Sequence, residues 1–463
     1  MKSPLTRFLI VMALSAFTTL SVLAQSPCVP ANTAPGSLDT CFGSGGTVIT
    51  TVPGTANNNW ALYVIKTLVQ SDGKIITLID AHLSGGPSHG FTNVIVRYNA
   101  DGSLDDGTVN DATPADSFGS GGIAYMNWTN PDGSFGNAYS MAIQNIGGEE
   151  RIAVGGTGPL GLGVVRLLNN GSPDTSFGSG GRADLSGGTA YAMAAQPWDQ
   201  KLIAASDSFS GSTVARLNLG GTLDGSFGQG GVARTATSID AKGIAFQSNQ
   251  KILIGGAYRL KSGASQFGVA RFNINGTLDS TFGTSGKAVN DPYGGGGYAT
   301  SIIVDSSDRV LLAGTATQRI TSKASYTYWN ILGFAANGQL DTSFGSAGKA
   351  AWRVDTGDSR VRSIARQQSD GKFVLFGSSA GVNGFRDFTL VRFNATGSID
   401  TMFGQAGVAK NNLLGGHDDG DGTVQIDPAC NCERLVMAGA SHIANATSGY
   451  GGQGYATAAR YIP

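Results

Sequence analysis

Short apolar runs separated by turn-forming residues fill this chain, and no useful helical spacing appears after the first 24 residues. Residues 242–289 show the pattern. KGIAFQ is followed by the turn SNQ, the β-branched run KILIGG and the polar loop AYRLKSGASQ. Then come FGVARFN, the turn phrase INGTLDSTFG and GKAVN. Runs this short, bounded by Gly, Asn, Asp and Ser, predict four strands, labelled A to D in chain order. The order recurs. Strand A is TLVQ up to Gln70, YSMAIQ from Tyr139, YAMAAQ from Tyr191, TSIIVD from Thr300, RSIARQ from Arg362 and TVQID from Thr423. Strand B opens with a cation: Lys74, Arg151, Lys201, Lys251, Arg309, Lys372 or Arg434. Strand C carries Arg97, Arg166, Arg216, Arg271 or Arg392 five residues before a glycine, and the fifth unit has Gly333 there.

Between strands C and D lies the phrase G-x-L-D-x-x-F-G-x-x-G, present seven times and once split by an acidic insert. Its aspartates are Asp39, Asp105, Asp174, Asp224, Asp279, Asp341 and Asp400. Its phenylalanines are Phe42, Phe118, Phe177, Phe227, Phe282, Phe344 and Phe403. A period of roughly 50–60 residues means an array or a ring of like units. Seven antiparallel four-stranded units predict an all-β, seven-bladed β-propeller. The frame favours a ring over a solenoid, which would need polar caps. A turn phrase and a D strand lead, and a C strand ends the chain, so the N-terminal strand should complete the C-terminal blade and remove a sheet edge. Arg460 would then face Asp39 as Arg271 faces Asp279. The expected organisation is an export signal over 1–24, a short linker over 25–35 and one propeller over 36–463.

The signal rests on Lys2 and Arg7, an apolar run over 8–23 and the small residues before Gln25. It predicts a secreted, periplasmic or cell-surface protein with no membrane span once the signal is removed. Charged residues make up 14% of the chain and the net charge is −1, so a nucleic-acid partner, which needs a basic stripe, is excluded. A monomer is expected.

A turn aspartate can accept backbone N–H groups about two residues on, or pair with the strand C arginine. Both roles are structural, and the following phenylalanine is expected to wedge between blades. The strand B cation reads as a solvated hairpin charge. Cys28, Cys41, Cys430 and Cys432 predict one or two disulfides in an exported chain. Ring closure would bring the two pairs of cysteines into one blade, which suggests Cys28–Cys430 with Cys41–Cys432, or the swapped pairing, clasping the joint.

Candidate chemistry falls on the variable D–A and B–C loops, since loops on a rigid scaffold carry recognition. Tyr258, Tyr326, Tyr328 and Trp329 offer aromatic surface for a sugar or a partner. His82, His89, His417 and His442 share that face, with Asp418, Asp419 and Asp421 beside His417, as a candidate binding or metal set. Asp106, Asp111 and Asp116 in the insert are a candidate Ca²⁺ site, although their spacing is not that of an EF-hand. No other cofactor and no nucleophile motif is apparent.

The turn phrase, the Q-x-D-G-K-I opening of strand B and the A-R-F-N of strand C together resemble the delta-60 repeat family, a domain of unknown function with a β-propeller fold. The chain is also distantly similar to NHL-repeat propellers. The first resemblance implies exported bacterial proteins without an established activity; the second implies partner binding. The expected function is a non-catalytic binding or scaffold propeller for a protein or glycan. The alternative is a propeller enzyme: a lyase, a glycoside-active enzyme or a quinoprotein-like oxidoreductase.

Overall fold

The computed structural model describes residues 28–53, 60–83, 91–126, 136–186, 188–206, 211–235, 239–321, 325–354, 359–381, 384–443 and 454–463. They form seven four-stranded antiparallel sheets, the blades of a propeller. The innermost strands, one per blade, are Trp60–Val69, Ala138–Ile146, Ala192–Ala195, Ile239–Phe246, Gly297–Val304, Ser359–Arg366 and Gly415–Asp427. Six blades are continuous in sequence. Blade seven takes its outer strand, Thr47–Thr50, from the N-terminal side, paired with Gly454–Tyr461 in the register Thr47↔Ala459 to Thr50↔Ala456. Gly36 N–H donates to Ile462 O at 2.8 Å and Ile462 N–H to Ser37 O at 2.9 Å, which seals the joint.

Strand B explains why the apolar runs are continuous rather than alternating. Ile75 and Ile79 face the core shared with blade seven, while Ile76 and Leu78 face the core shared with blade two. Successive side chains point to opposite faces of a strand, and here a neighbouring blade covers each face. Seven such cores close the circle.

The turn phrase ties each blade to the next. All seven phrase phenylalanines are fully buried, and each phrase sends one hydrogen bond onward. Gly43 N–H donates to Asp101 O, Gly119 to Asn170 O, Gly178 to Gly220 O, Gly228 to Asn275 O, Gly283 to Asn337 O and Gly345 to Thr396 O, all at 2.7–2.8 Å. Gly404 N–H closes the ring on Pro35 O at 2.8 Å. Pro35, the last residue of the stretch read as a linker, therefore belongs to the joint. At Gly276 the turn needs φ +84°, and a Cβ there would stand 2.7 Å from Gly228 N, so only glycine lets the neighbouring phrase approach.

Within each phrase the carboxylate holds three elements. Its Oδ1 accepts the N–H two residues on, as from Ser176 and Ser226 at 3.1 Å. Its Oδ2 meets the strand C arginine, at 2.8 Å for Arg166–Asp174, Arg216–Asp224 and Arg392–Asp400 and at 2.9 Å for Arg460–Asp39. The same oxygen also meets the strand B cation, at 2.7 Å for Lys201–Asp224 and 3.1 Å for Lys251–Asp279. The expectation of a merely solvated cation is thus corrected: the carboxylate lies within its reach, and a long side chain can bury its stem while its charge is paired. Each strand C guanidinium also stacks on its phrase ring, 4.4–4.7 Å above the centroid from Arg97 to Arg392 and 5.2 Å for Arg460 over Phe42. Such stacks contribute about 0.5–2 kcal/mol each.

Two blades depart from this lock. In blade five Gly333 removes the strand C arginine, and a Cβ there would come within 2.9 Å of the Phe344 ring. Arg309 of strand B takes the vacant role, 4.7 Å over Phe344 and 3.5 Å from Asp341, and pairs with Asp305 at 2.9 Å. In blade one the insert displaces the usual Ser or Thr, and Asp105 Oδ1 has no hydrogen-bond partner among the described residues. Burial pushes the Asp105 carboxyl up despite Lys74 and Arg97 beside it. Asp174, also pushed up by burial, is held below the usual range by Ser176 and Arg166.

The disulfides are Cys28–Cys41 and Cys430–Cys432, with sequence separations of 13 and 2. The expected clasp between chain ends is therefore corrected: each bond is local, and hydrogen bonds and the Asp39–Arg460 pair hold the joint. By chain-entropy reasoning the first bond stabilises by about 3 kcal/mol and the second by about half as much.

Candidate functional site

The seven inner strands enclose a channel of about 640 Å³. Ideal alternation would point the same positions at the axis in every blade, but a bulge shifts the register of the inner strand. It falls between Val64 and Lys66, Ala138 and Ser140, Ala241 and Gly243, Ala299 and Ser301, and Val361 and Ser363. The extra residues are Ile65, Tyr139, Lys242, Thr300 and Arg362, and all five line the channel. Bulges re-aim side chains in this way.

The lining is aromatic and cationic. Tyr139 and Tyr191 lie with ring centroids 4.9 Å apart, and Lys242 Nζ stands 4.7 Å over the Tyr191 ring. Tyr139 and Tyr298 remain 38% and 43% exposed. Lys66, Arg360 and Arg362 complete the basic set. The carboxylates in and behind the lining are paired: Asp421 with Lys66 at 3.3 Å, Asp240 with Lys242 at 2.8 Å and Arg259 at 3.1 Å, and Asp419 with Arg362. The wall therefore presents tyrosine faces and N–H donors.

A buried polar cluster lies beside the channel in blade seven, in contact with blades six and one. The sequence reads His417 and the following aspartates as a loop, but they belong to the inner strand Gly415–Asp427. His442 is likewise in a strand and buried. Its Nδ1 is 3.1 Å from His417 O and its Nε2 accepts Leu62 N–H at 3.3 Å. That pattern fixes the neutral ring as the Nδ1–H tautomer. His417 Nδ1 accepts Arg386 N–H at 3.1 Å. Asp418 is fully buried and takes Leu413 N–H at 2.9 Å. Burial, and after it the charge of Asp387, pushes its carboxyl up to about 7.

The remaining candidates scatter. Trp329 is fully buried in the core between blades five and six, so its expected role as ligand-facing surface is corrected. Tyr258 packs against the core between blades three and four. Tyr326 carries Arg353 at 3.8 Å over its ring, and Tyr328 stacks on Tyr293 at 4.8 Å. His89 lies outside the described residues, as do the side chain of His82 and the segment 1–24. In the insert, Asp106 accepts Thr108 N–H at 2.9 Å, Asp111 accepts Gly107 N–H at 2.6 Å and Thr113 N–H at 2.8 Å, and Asp116 pairs with Lys74 at 2.8 Å. The three carboxylates thus serve separate turns. Among the described residues no three His, Cys, Asp or Glu side chains are grouped to hold a metal ion.

A family model described as "Domain of unknown function (DUF5122) beta-propeller" matches residues 70–107, 151–177, 247–282 and 368–403. These four stretches cover less than half of the chain. Each matched stretch spans strands B and C, and each reaches the phrase aspartate; the last three end on the phrase phenylalanine. No curated protein matches. Among solved structures, the Dos1 propeller aligns at 11% identity over 82% of this chain and 80% of that one, with a TM-score of 0.44. The β-propeller domain of the Trilobed protease from Pyrococcus furiosus, described as revealing an open velcro topology, aligns at 10% identity over 82% and 89%, with a TM-score of 0.40. No channel residue falls within a DUF5122 match. The repeat specifies the lock, and the strands between matches specify the channel. Sequence reasoning missed these residues, although one signal was present: the bulged positions lie five residues before Gln70, Gln144, Gln247, Asp305 and Gln367.

Among the described residues no helix is long and apolar enough to cross a membrane.

Proposed function

We propose that this is an exported, non-catalytic binding propeller that takes its ligand, a glycan or a protein segment, at the mouth of the central channel on the variable-loop face. The carrying observation is the Tyr139–Tyr191–Lys242 ladder, which three successive blades present on bulged or adjacent inner-strand positions. Exposed tyrosine faces beside cations suit stacking and hydrogen bonding to a polar ligand. Paired carboxylates around the wall favour a binder over an enzyme, because general acid–base work needs a titrating group within reach of substrate. Asp418 has a shifted carboxyl, but it is sealed from the channel.

The test is a glycan and peptide array screened with the folded protein, followed by titration of the best hit. Tyr191→Ala is expected to weaken binding about tenfold, the loss of one aromatic contact. A hit bound equally well by Tyr191→Ala and by Arg362→Gln would place recognition away from the channel and sink this reading.

A further inference from the structure

The Cys430–Cys432 bond sits in the A–B turn of blade seven, on the face opposite the variable loops, where other contacts already shape the chain. Blades three, four and five form their A–B turns with a single non-glycine residue at positive φ: Gln200 at 58°, Gln250 at 65° and Asp308 at 60°. Blade seven does the same with Asn431 at 49°, and the other three need no cysteine. Its hairpin register runs unbroken from Asp418↔Ser441 to Asp427↔Cys432. Asp427 accepts Ala429 N–H at 3.0 Å and stands 3.1 Å from Arg460. Glu433 accepts Ser369 N–H of blade six at 3.2 Å, and Arg434 meets Asp39 at 2.7 Å. The turn is thus shaped and anchored on both flanks by other contacts. A separation of 2 constrains the unfolded chain little. Cys430 and Asn431 are exposed, and Cys432 is half-buried. A solvent-reachable bond with little structural duty is the kind that exchanges with thiols.

We infer that Cys430–Cys432 is a thiol–disulfide exchange site whose substrate is an exposed protein dithiol. A substrate thiolate attacks the exposed Cys430 Sγ, the Cys430–Cys432 bond breaks, and Cys432 leaves as a thiolate and takes a proton from water. The second substrate thiolate then attacks the substrate sulfur of the mixed disulfide. Cys430 leaves and is protonated. The substrate loses two electrons and gains a disulfide, and the turn ends as a dithiol. Cys28–Cys41, which ties a longer loop to the ring joint, serves as the internal control.

The test uses the oxidised full chain in graded glutathione buffers, with alkylation and mass mapping at each ratio. Cys430 and Cys432 are expected to be alkylated at a ratio at least about tenfold more oxidising than Cys28 and Cys41. A reduced two-cysteine peptide, mixed anaerobically with the protein, is expected to be oxidised by about one equivalent. Cys430→Ser should abolish that reaction, and the paired Cys28→Ser/Cys41→Ser variant should retain it. Simultaneous reduction of both bonds, or a peptide left reduced by the wild-type chain, overturns the assignment. So does loss of the β circular-dichroism signal when only Cys430–Cys432 is opened, since the bond would then be a structural staple.

Discussion

Asp39→Ala lowers the unfolding free energy by about 3–5 kcal/mol, the range for removing one partner of a buried ion pair. The carboxylate is fully buried, 2.9 Å from Arg460 and 2.7 Å from Arg434, so its loss leaves two guanidinium groups facing each other inside the joint. Asp341→Ala, in the same phrase of blade five, costs only about 1 kcal/mol, the range for an ordinary hydrogen bond or a partly exposed pair. Asp341 is 20% exposed and 3.5 Å from Arg309, and Arg309 keeps Asp305 at 2.9 Å after the change. Urea unfolding of both variants measures the difference, provided the slope is unchanged. Equal losses would mean that ring closure adds nothing to the lock.

The second large effect is a pH dependence. Asp418 titrates near 7 in the folded chain because burial disfavours its charge, against 3.8 in the open chain. Between those values the native state holds the extra proton, so this group's contribution falls as pH rises and is fully unfavourable above about 7. The ceiling is about 4 kcal/mol for a shift of roughly three units. Asp418→Asn is expected to raise the melting temperature at pH 8 and leave it nearly unchanged at pH 4. His442 acts in the opposite sense. Burial pushes its imidazole down, so its contribution is present above the ordinary histidine range and is lost as pH falls. His442→Gln in the same melts separates the two. A wild-type and Asp418→Asn difference that stays constant from pH 4 to 8 would show that Asp418 does not titrate between them.

The ring was legible because its punctuation is covalent: glycines at positive φ and a carboxylate eight residues beyond an arginine recur at fixed offsets. Contacts over longer offsets were not. Lys74 and Asp105 are 31 residues apart, so the cation reads as hairpin surface until the blade folds. A bulge leaves no mark in an alternating pattern, so only the fixed five-residue offset from Gln144, Gln247 and Gln367 set Tyr139, Lys242 and Arg362 apart. Blade seven misled for a different reason. Glycines and acids disfavour a strand, yet Asp418, Asp419 and Asp421 are held in one by pairing with the strand Cys432–Ile443, and His417 sits in the bulge that precedes them. Cysteine pairing could not be derived from proximity alone, since closure brings two local pairs near one another and the short loops win.

The bond from Gly404 to Pro35 matches, in donor, acceptor and length, the six that join successive phrases elsewhere. The split inside blade seven therefore leaves the link between its phrase and that of blade six like every other. Circular permutants, with the old ends fused near Gly36 and Ile462 and new ends cut between any two sectors, are expected to assemble the same wheel.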